Sequence, residues 1–584
     1  MSAAGGRDWA GPAAVVAAAA LATAPLMVRG VSCGNDFDFH LVSWIDALES
    51  WRHGILYPHW AASANFNAGE PRFVFYPPLV WMLGAALGAV LPWVAVPAAL
   101  VFLMLAGTGL ATRALARQAM KDGPAALAGC LAIFSGYALY TAYARSAYAE
   151  LAGGIWIPLM LLLVLRDTRP GPAWRRALTG VPALALVMAG VWLSNAPLGV
   201  IASYLLAAVV LARAAMERSW IPVERAAAGV VLGMALAAVY LAPAAMEQRW
   251  VDVSQALNDP GERIENSFLF GHHASADPEM ALHDAELARV SWIAVATIGT
   301  GLAGVLVCWR RRRLPGAGGW WIPLALIPAG VLVLLLPVSL PLWNVLPKMR
   351  FLQFPWRWLV AVEAPCAIFV AQAAWSRVGR WAVVAACGVG CAGMTVLAGR
   401  VFFTSCYVED SVPGMLAAYR AGAGFEGADE YSPQYADSSL IATGLPGACL
   451  VADPQEKLGI GEGDQQPQWS PEQGSCAQAF AFESGGNAER WRIRGAAERT
   501  GWLVLRLRAY PAWRVRRNEE AISNLPRRED GLIVVPVAAG ALDVEVDWTA
   551  TPDVQMGRGI SLAGLVLITG LCALRRKSNR AQLS

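Results

Sequence analysis

The chain has 584 residues, of which 56% are hydrophobic and only 15% charged, and its formal net charge is +3. Soluble domains carry roughly 25% charged residues, so water is not the main solvent of this sequence. So small a net charge gives no footing for nucleic acid, and neither a soluble α/β unit nor a glycine-rich phosphate loop after a strand is visible for a nucleotide.

Apolar runs long enough to cross a hydrocarbon core of about 30 Å recur along the chain. They predict spans near 10–28, 92–112, 124–143, 150–166, 177–194, 196–212, 225–246, 290–308, 320–338, 356–374, 381–399 and 558–574. Residues 73–91 are also apolar but are interrupted by Pro77 and Pro78, so they read either as a re-entrant piece or as one more crossing. The fold class expected is an α-helical polytopic membrane protein of 12–13 transmembrane helices with a C-terminal mostly-β domain.

Basic residues flank these runs: Arg113 to Lys121, Arg166 to Arg176, Arg213 to Arg225, Arg310 to Arg313, Arg377 with Arg380, and Arg575 to Lys577. Lys and Arg are retained on the cytoplasmic side, which places both termini inside a bacterial inner membrane. The first apolar run follows Arg7 without a small-residue cleavage site before Cys33, and reads as an uncleaved anchor. Three stretches then face the periplasm or exterior: 29–72, 247–289 and 401–556. The expected domains are a transmembrane unit over 1–400, an outer domain over 401–556, and a last helix with a basic tail over 557–584. In the outer domain, 501–510, 531–540 and 541–548 alternate apolar and polar residues between turn formers, the pattern of an antiparallel sandwich. Of ten cysteines, Cys33, Cys406, Cys449 and Cys476 lie in the outer stretches, where oxidation is permitted; we pair Cys449 with Cys476.

"CGNDFDFHLVSW", residues 33–44, follows the first span directly. If it is extended, Asp36, Asp38 and His40 share one face; if it is helical, Asp36 and His40 still meet and Asp38 points away. Acids so near lipid are costly and mark candidate functional sites. Leu41, Trp44, Ile45, Leu48 and Trp51 recur at helical spacing, with Asp46, Glu49, Ser50 and Arg52 opposite, which predicts an amphipathic helix in the membrane interface. His272, His273, His283 and Asp284 offer a further metal-capable group, although adjacent histidines point apart in most backbones.

The acidic motif, the helix after it and "GEPRFVFYPPL" (69–79) resemble the first outer loop of polytopic glycosyltransferases with the GT-C fold. "YARSAYAELAGGIWIPLML", "LSNAPLG", "LAPAAMEQ", "KMRFLQFPWRWL", "EGADEYSPQYAD" and "YPAWRV" extend the likeness over most of the chain. Within that superfamily the chain is most similar to the bacterial 6-pyruvoyl-tetrahydropterin-synthase-related membrane proteins, which resemble YfhO-type proteins; no soluble pterin-synthase domain is present. The resemblance implies transfer of a sugar from a polyprenyl-phosphate donor in the bilayer to an outer glycan, lipid or protein acceptor, in polysaccharide or other envelope assembly.

Such a reaction needs a carboxylate base, for which Asp36 and Asp38 are the candidates. It also needs cations on the departing phosphate, for which Arg145, Arg350 and Arg357 are placed at outer span ends. His40, Glu70, Tyr76, Tyr148, Glu150, Asn195, Glu247, Gln353, Glu430 and Tyr431 are the candidate cavity wall. A divalent cation, Mg or Mn, is an optional cofactor on Asp36 and Asp38. Arg357, between Trp356 and Trp358, equally suits a snorkelling belt residue, and Glu150 a structural partner of Arg145. A non-catalytic translocator or scaffold of lipid-linked sugar assembly is the alternative function.

Overall fold

The computed structural model describes residues 9–166, 180–255, 260–273, 277–316, 319–375, 379–461, 465–472, 476–483 and 487–580. Arg7, Arg169, Arg175, Arg176 and Arg377, used above to orient the chain, lie outside the described residues.

Among the described residues, nine helices are long and apolar enough to cross a membrane, from Ala10–Arg29 to Pro552–Ala573. Two bent pairs bring the number to eleven if each is one span. The predicted run 320–338 is broken by 91° between Trp321–Leu334 and Pro337–Val345, where Pro337 removes an amide from the ladder. The run 356–374 bends by 48° where a 3₁₀ stretch, Pro355–Ala361, passes into the helix Glu363–Ala374. The run 177–194 becomes a shorter apolar helix, Val181–Ser194; it stops where Asn195 turns extended and accepts from the Leu198 amide at 2.9 Å, capping Ala196–Glu217. Residues 73–91 form a second short helix, Pro78–Val90, whose 13 residues at about 1.5 Å each fall short of a crossing on their own.

The segment after the first span is helical. Phe37–Arg52 begins one residue after Asp36, so Asp38 is exposed in its first turn while His40 is fully buried. The extended reading, with three polar side chains on one face, is thereby corrected. The interfacial reading of this helix is corrected as well. Asp46 and Ser50, assigned to a polar face, are buried, because the helix lies against Pro78–Val90 beneath the outer loops. Asp46 there accepts from the Ser63 hydroxyl at 2.8 Å and the Ser63 amide at 3.2 Å.

The C-terminal part forms two antiparallel four-stranded sheets packed face to face. One has the order β2-β1-β4-β7, with β1 Ala448–Val451, β2 Gln478–Phe480, β4 Gly501–Arg508 and β7 Leu532–Val537. The other has the order β3-β8-β5-β6, with β3 Arg490–Ala497, β5 Trp513–Arg517, β6 Glu520–Ile522 and β8 Gly540–Trp548. Leu542, Val544 and Val546 of β8 enter the shared core, while Asp543, Glu545 and Asp547 alternate outward onto Arg492, Arg516 and Arg490 of the neighbouring strands.

The sandwich is seated on the bundle. Trp60 of the first outer loop is fully buried in the sandwich core, with ring centroids 5.1 Å from Trp513 and 5.8 Å from Trp548. Glu247, at the end of the helix Ile221–Met246, accepts from Tyr510 and Thr551 hydroxyls at 2.5 Å each. Disulfides join Cys449 to Cys476, as expected, and Cys33 to Cys406.

Candidate functional site

The site is built where the segment 32–36 crosses the break between Gly136–Tyr143 and Tyr148–Leu151. Ser32 Oγ donates to the Tyr143 carbonyl at 2.7 Å, Ser146 Oγ donates to the Ser32 carbonyl at 2.8 Å, and the Asp36 amide donates to the Arg145 carbonyl at 2.9 Å. Gly34 permits this approach: a Cβ on it would overlap the Ala144 carbonyl and stand 2.6 Å from the Arg145 carbonyl carbon. Ser146 is held at φ 50°, a left-handed conformation that reverses the chain and turns Arg145 inward.

Arg145 Nη1 lies 2.7 Å from Glu150 Oε2, and Arg357 Nε approaches the same oxygen at 3.4 Å. The Tyr137 hydroxyl donates to the other oxygen, Oε1. Arg357 is aimed from the other side by the Leu352 carbonyl at 3.0 Å and by Gln353 Oε1 at 3.1 Å. Both guanidinium groups lie near the Phe354 ring, with Cζ 6.0 Å (Arg145) and 5.1 Å (Arg357) from its centroid. Asp36 is half-buried and stands in the field of Arg145, Arg357 and Glu150. Burial lifts its carboxyl above the ordinary carboxylate range, while the two arginines pull it back.

An aromatic wall continues from Asp36. His40 lies 5.1 Å from the Tyr148 ring and 5.9 Å from Tyr76, and Tyr76 lies 4.8 Å from Phe39. Both ring nitrogens of His40 are buried without a protein partner, and burial together with Arg72 lowers the imidazole to about 3, so it is neutral.

Eight candidate residues are therefore brought together: Asp36, His40, Tyr76, Arg145, Tyr148, Glu150, Gln353 and Arg357. The others stand apart. Asp38 is exposed. Arg350 pairs with Glu265 at 2.6 Å and with Asn344 at 2.6 Å, outside the cluster. Asn195 serves as a helix cap and Glu247 as a fastening for the sandwich. Glu70 pairs with Arg72 at 2.6 Å and accepts from Asn65 at 3.0 Å and from the Ala428 amide at 2.9 Å; Asn65 Oδ1 in turn holds Arg508 of β4 at 3.0 Å. Glu430 and Tyr431 belong to this second network, Tyr431 stacking on Phe75 at 5.6 Å.

Among the described residues no group of three His, Cys, Asp or Glu side chains is gathered for a metal. Asp38 is exposed and Asp36 half-buried, and the cations facing Asp36 are guanidinium groups. Asp284 instead accepts from the His273 amide at 2.7 Å and lies 2.7 Å from the His273 ring and 3.0 Å from His272 Nδ1, while His283 turns to the Asn266 carbonyl at 3.1 Å. Sequence reasoning missed Tyr137, Arg72 and Glu363. Only Glu363 carried a signal, as an acid within an apolar span; it accepts from Ser135 at 3.1 Å.

The family described as 6-pyruvoyl-tetrahydropterin synthase related domain, membrane protein, matches residues 73–403, more than half of the chain. The chain belongs to this family. That bears out the resemblance drawn above, and the matched region of this family member holds Arg145, Glu150 and Arg357 but begins after Asp36. No curated protein matches the chain in sequence. Two solved structures of an Archaeoglobus fulgidus oligosaccharyltransferase align with it. One, tethered to an acceptor peptide through a disulfide, has 14% identity, a TM-score of 0.40, and coverage of 74% of this chain and 61% of that one. The other, in complex with zinc and sulfate, has 13% identity, a TM-score of 0.37, and coverage of 72% and 58%. The chain thus spans less than two thirds of the length of either.

Proposed function

We propose that the chain is a membrane glycosyltransferase of the GT-C type, moving a sugar from a polyprenyl-phosphate donor to a glycan, lipid or protein acceptor, with the Asp36 end of the bundle facing the periplasm. The observation that carries this reading is the placement of Asp36 beside Arg145 and Arg357, which Glu150 holds together.

In this reading Asp36 takes the proton of the acceptor hydroxyl as the acceptor oxygen bonds to the anomeric carbon. The bond from that carbon to the phosphate oxygen breaks, and the electron pair leaves with polyprenyl phosphate. A base with its pKa lifted toward neutrality suits the first step. Arg145 and Arg357 stabilise the charge that grows on the phosphate. Glu150 lets two like-charged guanidinium groups share one small volume, and its bonds to Arg145 and Tyr137 fix their geometry before substrate arrives.

The test is transfer by the full chain in lipid vesicles, with a polyprenyl-phosphate sugar radiolabelled in the sugar. Appearance of label in a water-soluble or lipid acceptor supports the reading. Tight binding of the labelled donor with no transfer to any envelope fraction overturns it in favour of a carrier or scaffold.

A further inference from the structure

Gln353 stands at φ 58° and ψ −56°, and across it the Phe354 amide donates to the Leu352 carbonyl at 2.6 Å. A hydrogen bond from residue i+2 back to residue i about a positive φ is the strained hand of γ-turn, open to glycine and resisted by any side chain. Residues held this way persist only where their surroundings fix them. Here the second outer loop does so. Gln353 Nε2 donates to Glu262 Oε2 at 3.2 Å and Arg350 Nη2 to Glu265 Oε1 at 2.6 Å, so the 3₁₀ turns Pro260–Glu262 and Ile264–Asn266 grip the stretch 350–353 at both ends.

The strained turn serves Arg357. The Leu352 carbonyl accepts from Arg357 Nη1 at 3.0 Å as well as from the Phe354 amide, and Gln353 Oε1 accepts from the same Nη1 at 3.1 Å. The Gln353 carboxamide can face only one way, with its oxygen toward the guanidinium and its nitrogen toward the carboxylate. One side chain thus links an acid of the outer loop to the guanidinium that Glu150 meets at 3.4 Å on its other side.

We infer that Glu262 and Gln353 are positioning residues for Arg357: the second outer loop holds the strained turn, and the turn aims the guanidinium at the phosphate of the donor. This rests on the reading of Arg357 as a ligand of that phosphate. Neither residue touches the reacting atoms; Glu262 acts through Gln353, and Gln353 through Arg357.

The experiment measures the thermal midpoint of the full chain and its equilibrium binding of polyprenyl phosphate, without sugar, in lipid nanodiscs. Glycine at 353 relieves the strain and alanine keeps it, so Gln353→Gly should melt above Gln353→Ala, the reverse of glycine's usual standing. Both should bind polyprenyl phosphate roughly tenfold more weakly than wild type, the low end of what a hydrogen bond to a charged group is worth. Glu262→Ala should weaken binding in the same direction, and Glu262→Gln, which still offers an oxygen to Gln353, should restore it. The double variant of Glu262→Ala and Gln353→Ala should bind no more weakly than Gln353→Ala alone, since both act along one line of contacts. Wild-type affinity in Gln353→Ala, losses that multiply in the double variant, or a higher midpoint for alanine than for glycine at 353 overturns the inference. Sugar transfer is not needed for any of these readouts, so a wild type that binds polyprenyl phosphate and moves no sugar defeats the proposed function while the variants still decide this one. A wild type that does not bind polyprenyl phosphate overturns both.

Discussion

The main-chain amide of Asp36 donates to the carbonyl oxygen of Arg145 across 2.9 Å, tying the residue after the first span to the turn between two later helices. Neither side chain positions the other: the backbone does, and Gly34 is what allows the backbones to meet. Gly34→Val should therefore push the segments apart at a cost of about 1–3 kcal/mol, the usual penalty of overpacking. The expected outcome is a lower thermal midpoint in detergent together with loss of transfer, whereas Gly388→Ala, whose Cβ meets nothing within 4 Å in a helical backbone, should cost little.

Asp46 gives the first outer loop a pH dependence. Burial raises its pKa from 3.8 to about 6, against the hydrogen bonds from Ser63. The folded protein then holds a proton that the unfolded chain releases, so this contribution to stability is complete below pH 3.8 and is lost as the pH rises through about 6. Thermal midpoints of wild type and Asp46→Asn across this window should converge at neither end equally: the asparagine variant gains relative to wild type as the pH rises. Parallel curves would show that Asp46 does not titrate there.

Glu247 fastens the sandwich to the bundle through Tyr510 and Thr551. Glu247→Ala leaves two buried hydroxyls without their acceptor, a loss of about 1–3 kcal/mol per group. Limited proteolysis should release the 401–556 region faster from this variant than from Glu430→Ala, since Glu430 makes neither contact.

Cys33 and Cys406 are 373 residues apart in sequence and joined by a disulfide beside the Asp36 segment. Native disulfides contribute about 2–4 kcal/mol. Cys33→Ser should lower the thermal midpoint, and peptide mapping without reductant should recover the pair Cys33–Cys406 from wild type. Recovery of both as free thiols would place this end of the bundle in a reducing compartment.

The sequence exposes its spans through length and apolar content, which is why the predicted run 290–308 lies inside the helix Pro278–Arg310 and 92–112 overlaps Val96–Ala116, although the polar first turns of Pro278–Arg310 read as part of the outer loop 247–289. Breaks are harder to read: the 91° bend before Pro337 and the 48° bend at Val362 depend on what the helix packs against. In the sandwich, β8 and the second half of β4 show apolar alternation, whereas β7 is a continuous apolar run. β3 alternates as well, Arg490, Arg492 and Arg494 facing out between Trp491 and Ile493, but the acids that match these arginines lie on β8, some fifty residues away, and at Glu483. The candidate site divides in the same way. Arg145 and Arg357 were recognisable as cations at span ends, but the choice between Asp36 and Asp38 turns on where the helix Phe37–Arg52 begins, a matter of one residue. Arg350 looked equivalent to Arg357 in sequence; only Glu265 and Asn344, on other segments, turn it elsewhere.

The measurement that bears most directly on the account compares Asp36→Asn with Asp38→Asn in the vesicle transfer reaction, at matched protein level and matched thermal midpoint. Removing a general base costs about 10²–10⁴ in rate, so Asp36→Asn should fall by at least the lower figure while Asp38→Asn keeps turnover close to wild type. Full turnover by Asp36→Asn would contradict the account.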